Sequence, residues 1–196
     1  MHKTICLLAL IGHVLAVVPS LKERADIIEQ FTSIREDVTP TASNMTLLTY
    51  SAKMEKLAKT WVARCVRWYP TLSKYPEFDG TGMLRQNSFN ATQRFENLAF
   101  LGRQAKDYNY ENNTCGNHCR SYKLIVWAAA TEVGCAKAKC YHEPSLRDIY
   151  FLACVFNHVY DDLRGRPYEE GEVCSKCPQR IRMSTKSVLQ NPTASW

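Results

Sequence analysis

Two stretches decide the architecture: Val133–Tyr141, VGCAKAKCY, and Ile149–Phe156, IYFLACVF. In the first, Ala136, Ala138 and Cys140 alternate with Lys137 and Lys139, the two-residue period of a strand with one covered face. The second is largely apolar and predicts another strand, and Tyr122–Trp127 (YKLIVW) is a further strand candidate for the interior. Upstream, Leu21, Ala25, Ile28, Phe31, Ile34 and Val38 recur at three- and four-residue spacings, predicting a helix that Thr39-Pro40 ends. A second helix is predicted from an N-cap at Ser51, with Met54, Leu57, Ala58, Trp61, Val62 and Cys65 on one face. Trp68 to Phe95, rich in Pro, Asn, Ser, Thr and Gly, reads as a long surface loop. Helices precede strands instead of alternating with them, so the expectation is an α+β layered domain.

The 196 residues are 45% hydrophobic and 22% charged, enough for one core and unlike a collagen-like, coiled-coil or disordered chain. The net charge of +6 is scattered, which gives no support to a nucleic-acid partner. Nine cysteines point to an oxidising compartment. Lys3 followed by the apolar run Ile5–Val18 reads as a secretory leader, with cleavage sites at Ala16 or Ser20. Cleavage after Ser20 removes Cys6 and leaves an even set of eight cysteines. Sequons at Asn44, Asn90 and Asn112 predict glycosylation in the same compartment. The expected division is a signal peptide at 1–20, one domain at 25–178 and a flexible basic tail at 179–196. No second apolar segment is long enough to span a membrane, and a secreted monomer is expected.

Five segments in fixed order carry a resemblance: Pro40–Met45 (PTASNM), Leu57–Cys65 (LAKTWVARC), Glu96–Leu98 (ENL), Tyr122–Cys135 (YKLIVWAAATEVGC) and Arg166–Cys177 (RPYEEGEVCSKC). Together they resemble the CAP superfamily of cysteine-rich secretory proteins, antigen 5 and pathogenesis-related 1 proteins, and most of all its metazoan glioma-pathogenesis-related and venom-allergen-like branch. The resemblance implies a three-layer α-β-α sandwich held by disulfides. It pairs Cys65 with Cys140 and Cys135 with Cys154, and leaves Cys115–Cys119 and Cys174–Cys177 as local pairs. A zinc-ribbon reading of those last four cysteines is disfavoured by the compartment.

The resemblance also implies a cleft of two histidines and two glutamates that holds a divalent metal in relatives. The matching positions here are Tyr69, Glu96, Gln104 and Ser121, so one of the four donors is kept. Tyrosine and serine are poor zinc ligands, and the expectation is a degenerate cleft with no metal and no cofactor. His118 is the nearest other imidazole and, like His142 and His158, reads as a surface residue. No Gly-x-Ser-x-Gly or His-Glu-x-x-His motif is present. The expected function is therefore non-enzymatic: a secreted CAP-domain protein acting through surface or lipid contacts in signalling or immune modulation. Sterol or fatty acid, or an extracellular protein, would be its partner, and a secreted protease, protease inhibitor or toxin-like ligand is the alternative.

Overall fold

The computed structural model describes residues 15–89, 95–142, 147–160 and 163–178, with no account of the His142 side chain. Most of the leader run, Cys6, Asn90 and the basic tail lie outside the described residues.

Helix α1 (Leu21–Glu36) starts at a reciprocal capping box: the Glu23 N–H donates to Ser20 Oγ at 3.3 Å, and the Ser20 N–H donates to Glu23 Oε2 at 2.7 Å. Its core face is Ile27, Phe31 and Ile34, rotated from the predicted stripe; Leu21 is 81% exposed and Ala25 is exposed as well. The buried Arg35 explains the shift, because its polar head places a long side chain on a face that hydropathy alone assigns to solvent. Helix α2 (Ala52–Val62) is capped by Ser51, whose Oγ accepts from the Met54 N–H at 3.5 Å. It buries Met54, Ala58, Trp61 and Val62.

The sheet is built on the long hairpin of β6 (Glu132–His142) and β7 (Arg147–Phe156), antiparallel with Cys135 opposite Cys154. On the outer side of β6 lie two short strands, β1 (Ala16–Val17), antiparallel, and β2 (Thr49–Tyr50), parallel. On the outer side of β7 lies β3 (Gly82–Ser88), antiparallel along its whole length. A two-stranded ribbon, β4 (Tyr108–Asn109) and β5 (Thr114–Cys115), stands apart. One face of the sheet packs on α2 through Trp61, Ala136, Phe151 and Val155. The other packs on α1, the 3-10 segment Phe95–Asp107 and the short helix α3 (Arg120–Ile125) through Phe31, Leu98, Leu124 and Phe156. This is the three-layer α+β sandwich.

Two predicted elements differ. Tyr122–Trp127 is not a strand: Arg120–Ile125 is helical, with the Lys123 N–H donating to the Cys119 carbonyl at 2.8 Å and the Val126 N–H to that of Tyr122 at 3.0 Å. Residues 122–126 are all buried, and a short run buried on every side has no period that separates helix from strand. The Trp68–Phe95 loop contains a 3-10 turn at Pro76–Phe78 and the seven-residue edge strand β3. The polar Arg-Gln-Asn-Ser end of β3 suppresses the strand signal, and pairing with β7 overrides it.

The structure joins Cys65–Cys140, Cys115–Cys119, Cys135–Cys154 and Cys174–Cys177. The first ties the segment after α2 to β6 across 75 residues. Among the described residues no helix is long and apolar enough to cross a membrane.

Candidate functional site

The four positions matched to the cleft are held by different means. Tyr69 follows the anchored Cys65 and lies over the edge of β3. The Arg85 guanidinium carbon sits 4.7 Å from its ring centroid, and that of Arg120, the first residue of α3, sits 5.2 Å away. Ser121 follows Arg120 and is half-buried. Gln104 reaches the same helix, its Oε1 accepting from the Tyr122 N–H at 3.1 Å. Tyr69, Gln104 and Ser121 thus meet around the start of α3.

Glu96 is placed by Gln30 of α1. The Gln30 Nε2 donates to the Phe95 carbonyl at 3.1 Å, and its Oε1 accepts from the Leu98 and Ala99 N–H groups at 2.8 and 2.9 Å. Glu96 itself is exposed. Its charge acts on Lys22, whose pKa is raised first by its hydrogen bond to Asp26 and charge attraction to that carboxylate, and more weakly by Glu96.

These residues do not fit the metal that the family cleft implies. Tyr69 lies beneath two guanidinium groups, Gln104 already spends its carbonyl oxygen on a backbone donor, and Ser121 is a weak ligand. A divalent cation at Tyr69 would be repelled by both Arg85 and Arg120. Among the described residues no three His, Cys, Asp or Glu side chains converge as a metal site. His118 and His158 are exposed.

The cavity beside Tyr69 has a volume of about 590 Å³. Leu72, Phe78, Met83 and Val159 give it apolar walls, and Arg120 and Asp79 are its charged lining residues. Its lining includes exposed apolar side chains, with Leu72 52% and Tyr160 59% accessible; Trp68, next in sequence to Tyr69, is 62% accessible. Trp61 belongs to the core, at 1% exposure, against Tyr75 and Phe78.

A second cavity of about 790 Å³, lined by Asn44, Tyr110, Trp127, Arg166, Tyr168 and Glu170 among others, has no counterpart in the sequence reading. Tyr110 and Tyr168 stack at 4.8 Å, and burial raises the Tyr168 phenol. These residues come from four separate parts of the chain, so no local pattern in the sequence announces the cavity. Asn44, at its edge, accepts from the Glu169 N–H through Oδ1 at 3.0 Å, whereas Asn112 is exposed.

Comparison with known proteins agrees with this fold. Residues 26–156 match the cysteine-rich secretory protein (CAP) family, and the chain belongs to it. It is 27% identical over 154 residues to GLIPR1-like protein 1 of Mus musculus, covering 75% of this chain and 64% of that protein. It is 28% identical over 177 residues to peptidase inhibitor 15 of Xenopus laevis, covering 81% and 66%. It spans only 33% of the Mus musculus cysteine-rich secretory protein LCCL domain-containing 1. Among solved structures, NaASP2, crystallised with Zn2+, superposes with TM-score 0.64 at 20% identity, covering 81% of this chain and 90% of that one. Venom allergen-like protein 4 of Schistosoma mansoni gives 0.59 at 23% identity, covering 80% and 99%.

Proposed function

We propose that the chain is an extracellular, non-enzymatic CAP-domain protein that works by contact, presenting the apolar rim of the Tyr69 cavity to a lipid or protein surface. The observation that carries this reading is that Leu72 and Tyr160, both more than half exposed, line one cavity with apolar walls, with the exposed Trp68 next in sequence to its Tyr69. Contiguous exposed apolar surface on a folded chain marks an interaction site more often than not. Four disulfides and relatives named as secretory proteins support the extracellular setting. Catalysis finds little support: the cleft positions hold Tyr69, Gln104 and Ser121 without an adjacent base, and every described cysteine is in a disulfide. Glycosylation falls at Asn112, whose side chain is open to solvent.

The name of the Xenopus laevis relative favours one other reading, inhibition of a peptidase. The segment 68–95 that would present an inhibitory loop is partly tied up as β3, and residues 71–74 ahead of it are a run of exposed positions. Native purification of the secreted protein, with mass spectrometry of bound proteins and extracted lipids, tests the proposal against a variant with Trp68→Asp and Leu72→Asp. The expected result is a lipid or protein carried by the unmodified chain and lost from the variant at unchanged melting temperature. Identical cargo on both, or inhibition of a peptidase that survives both changes, would overturn it.

A further inference from the structure

Asn44 opens the sequon Asn44-Met45-Thr46 and also lines the cavity of about 790 Å³. A backbone ladder fixes its place. The Ser43 N–H donates to the Glu169 carbonyl at 2.8 Å, the Gly171 N–H to that of Thr41 at 3.0 Å, and the Lys176 N–H to that of Ser43 at 2.8 Å. Within this ladder the Glu169 N–H donates to Asn44 Oδ1 at 3.0 Å, which turns Nδ2, the other end of the amide, away from that donor. Among the described residues Nδ2 meets no acceptor and is not walled off from the surface. N-linked glycosylation replaces one hydrogen of Nδ2 and leaves Oδ1 an acceptor, so the Glu169 bond and an attached sugar are compatible. Met45 and Thr46 are buried, and Thr46 Oγ1 donates to the Ala128 carbonyl at 3.2 Å, so the sugar has to be added before the fold closes over them.

The cavity at this attachment point holds polar groups that the fold leaves unspent. Trp127 is half-buried, and among the described residues its indole N–H has no acceptor and its ring no stacking partner. Glu111 and Glu170 are exposed and have no cationic partner among those residues, whereas Glu169 is paired with Lys176. An N-acetylglucosamine unit supplies the complement: an acetyl carbonyl for the indole donor, hydroxyls for the carboxylates and an apolar ring face for the indole. The volume falls within the range of roughly 300–1,000 Å³ of small-ligand cavities. We propose that this cavity seats the first sugars of an N-glycan on Asn44, folded back onto Trp127, Glu111 and Glu170. Covalent attachment at the cavity wall raises the local concentration of the sugar, which favours the chain's own glycan over a free saccharide. The inference rests on the extracellular reading and is independent of the Tyr69 cavity.

The test uses the chain made by animal cells in culture. Glycopeptide mass spectrometry reads occupancy at Asn44 and Asn112. Nuclear magnetic resonance with isotope-labelled N-acetylglucosamine reads Overhauser contacts between the sugars and the Trp127 indole. The expected result is a sugar on Asn44 in contact with Trp127, released from the folded protein by a glycan-cleaving amidase at least ten-fold more slowly than the sugar on Asn112. Ala129 lines the cavity and is exposed, so Ala129→Arg fills the groove without disturbing the core. It should abolish the contacts at unchanged melting temperature, and Trp127→Ala should speed release from Asn44. An unmodified Asn44 in a chain that carries sugar on Asn112 overturns this inference and leaves the extracellular reading standing. A chain kept inside the cells with neither asparagine modified overturns both. A sugar on Asn44 that makes no contact with Trp127, or whose contacts survive Ala129→Arg, overturns the seat.

Discussion

Arg35 is the clearest case of one side chain organising its surroundings. It is fully buried with no carboxylate partner among the described residues, and it donates five hydrogen bonds to four carbonyls: Thr46, Ile125, Trp127 and Ala130. Burial lowers its pKa to about 9, which leaves it charged at neutral pH. It thereby fixes α1 to the irregular chain at Thr46 and to the turn after α3, the helix that carries Arg120 and Ser121. Arg35→Met keeps the volume but strands those carbonyls, and should cost at least about 3 kcal/mol in urea unfolding, with Arg35→Lys recovering only part. A loss below about 1 kcal/mol would show that the carbonyls find other donors. The same residue shows where sequence reading falls short: a charged residue inside a helix is placed at the surface by hydropathy, and nothing local announces four distant acceptors. Tyr69 is expected from the sequence as a replaced ligand. Its flanking arginines are not legible there, because Arg85 is positioned by the pairing of β3 with β7 and Arg120 by the packing of α3 beside β3.

At the scale of elements, strong periodicity and caps were readable and short buried runs were not. The alternation of Ala136, Ala138 and Cys140 appears as buried residues of β6, and the Ser51 cap starts α2. Strand β3 and helix α3 owe their form to neighbours instead of to their own pattern. Packing of α2 on β6 depends on Gly134: a Cβ there would lie 2.0 Å from the Glu55 nitrogen and 2.6 Å from the Ser51 carbonyl oxygen. Backbone atoms cannot swing aside, so Gly134→Ala should lower the melting temperature markedly, by a shift corresponding to about 3 kcal/mol, whereas Gly116→Ala, whose Cβ would meet the Asp107 carbonyl oxygen at an ordinary 3.5 Å, should be near neutral. At the N-terminus, Ser20 caps α1, Pro19 is buried, and Ala16–Val17 pairs with β6. Cleavage after Ser20 would remove all three and put a positive amine at the start of a helix, where it is unfavourable. Intact-mass analysis of the secreted chain should find Ser20 retained; a mature N-terminus at Leu21 would contradict this use of the capping box.

For the molecule as a whole, the disulfides divide the work unequally. Cys65–Cys140 bridges two layers across 75 residues, and closing a loop of that length stabilises by roughly 4 kcal/mol. Cys174–Cys177 spans three residues at the edge of the fold. Cys65→Ser should therefore reduce secretion far more than loss of Cys174 and Cys177 together, as measured by yield in culture medium; equal losses would contradict this ranking. The scaffold these bridges hold is that of the CAP family, and the resemblance matches one cation ligand of its cleft to Tyr69, which lies against two arginines. Calorimetric titration of the purified protein with zinc tests that exchange most directly. No saturable binding is predicted at micromolar zinc, because Tyr69 lies against Arg85 and Arg120 and Glu96 is exposed near Lys22 of α1. Micromolar binding that disappears in Glu96→Ala would contradict it, by showing that Glu96 and its matched positions do converge on a metal.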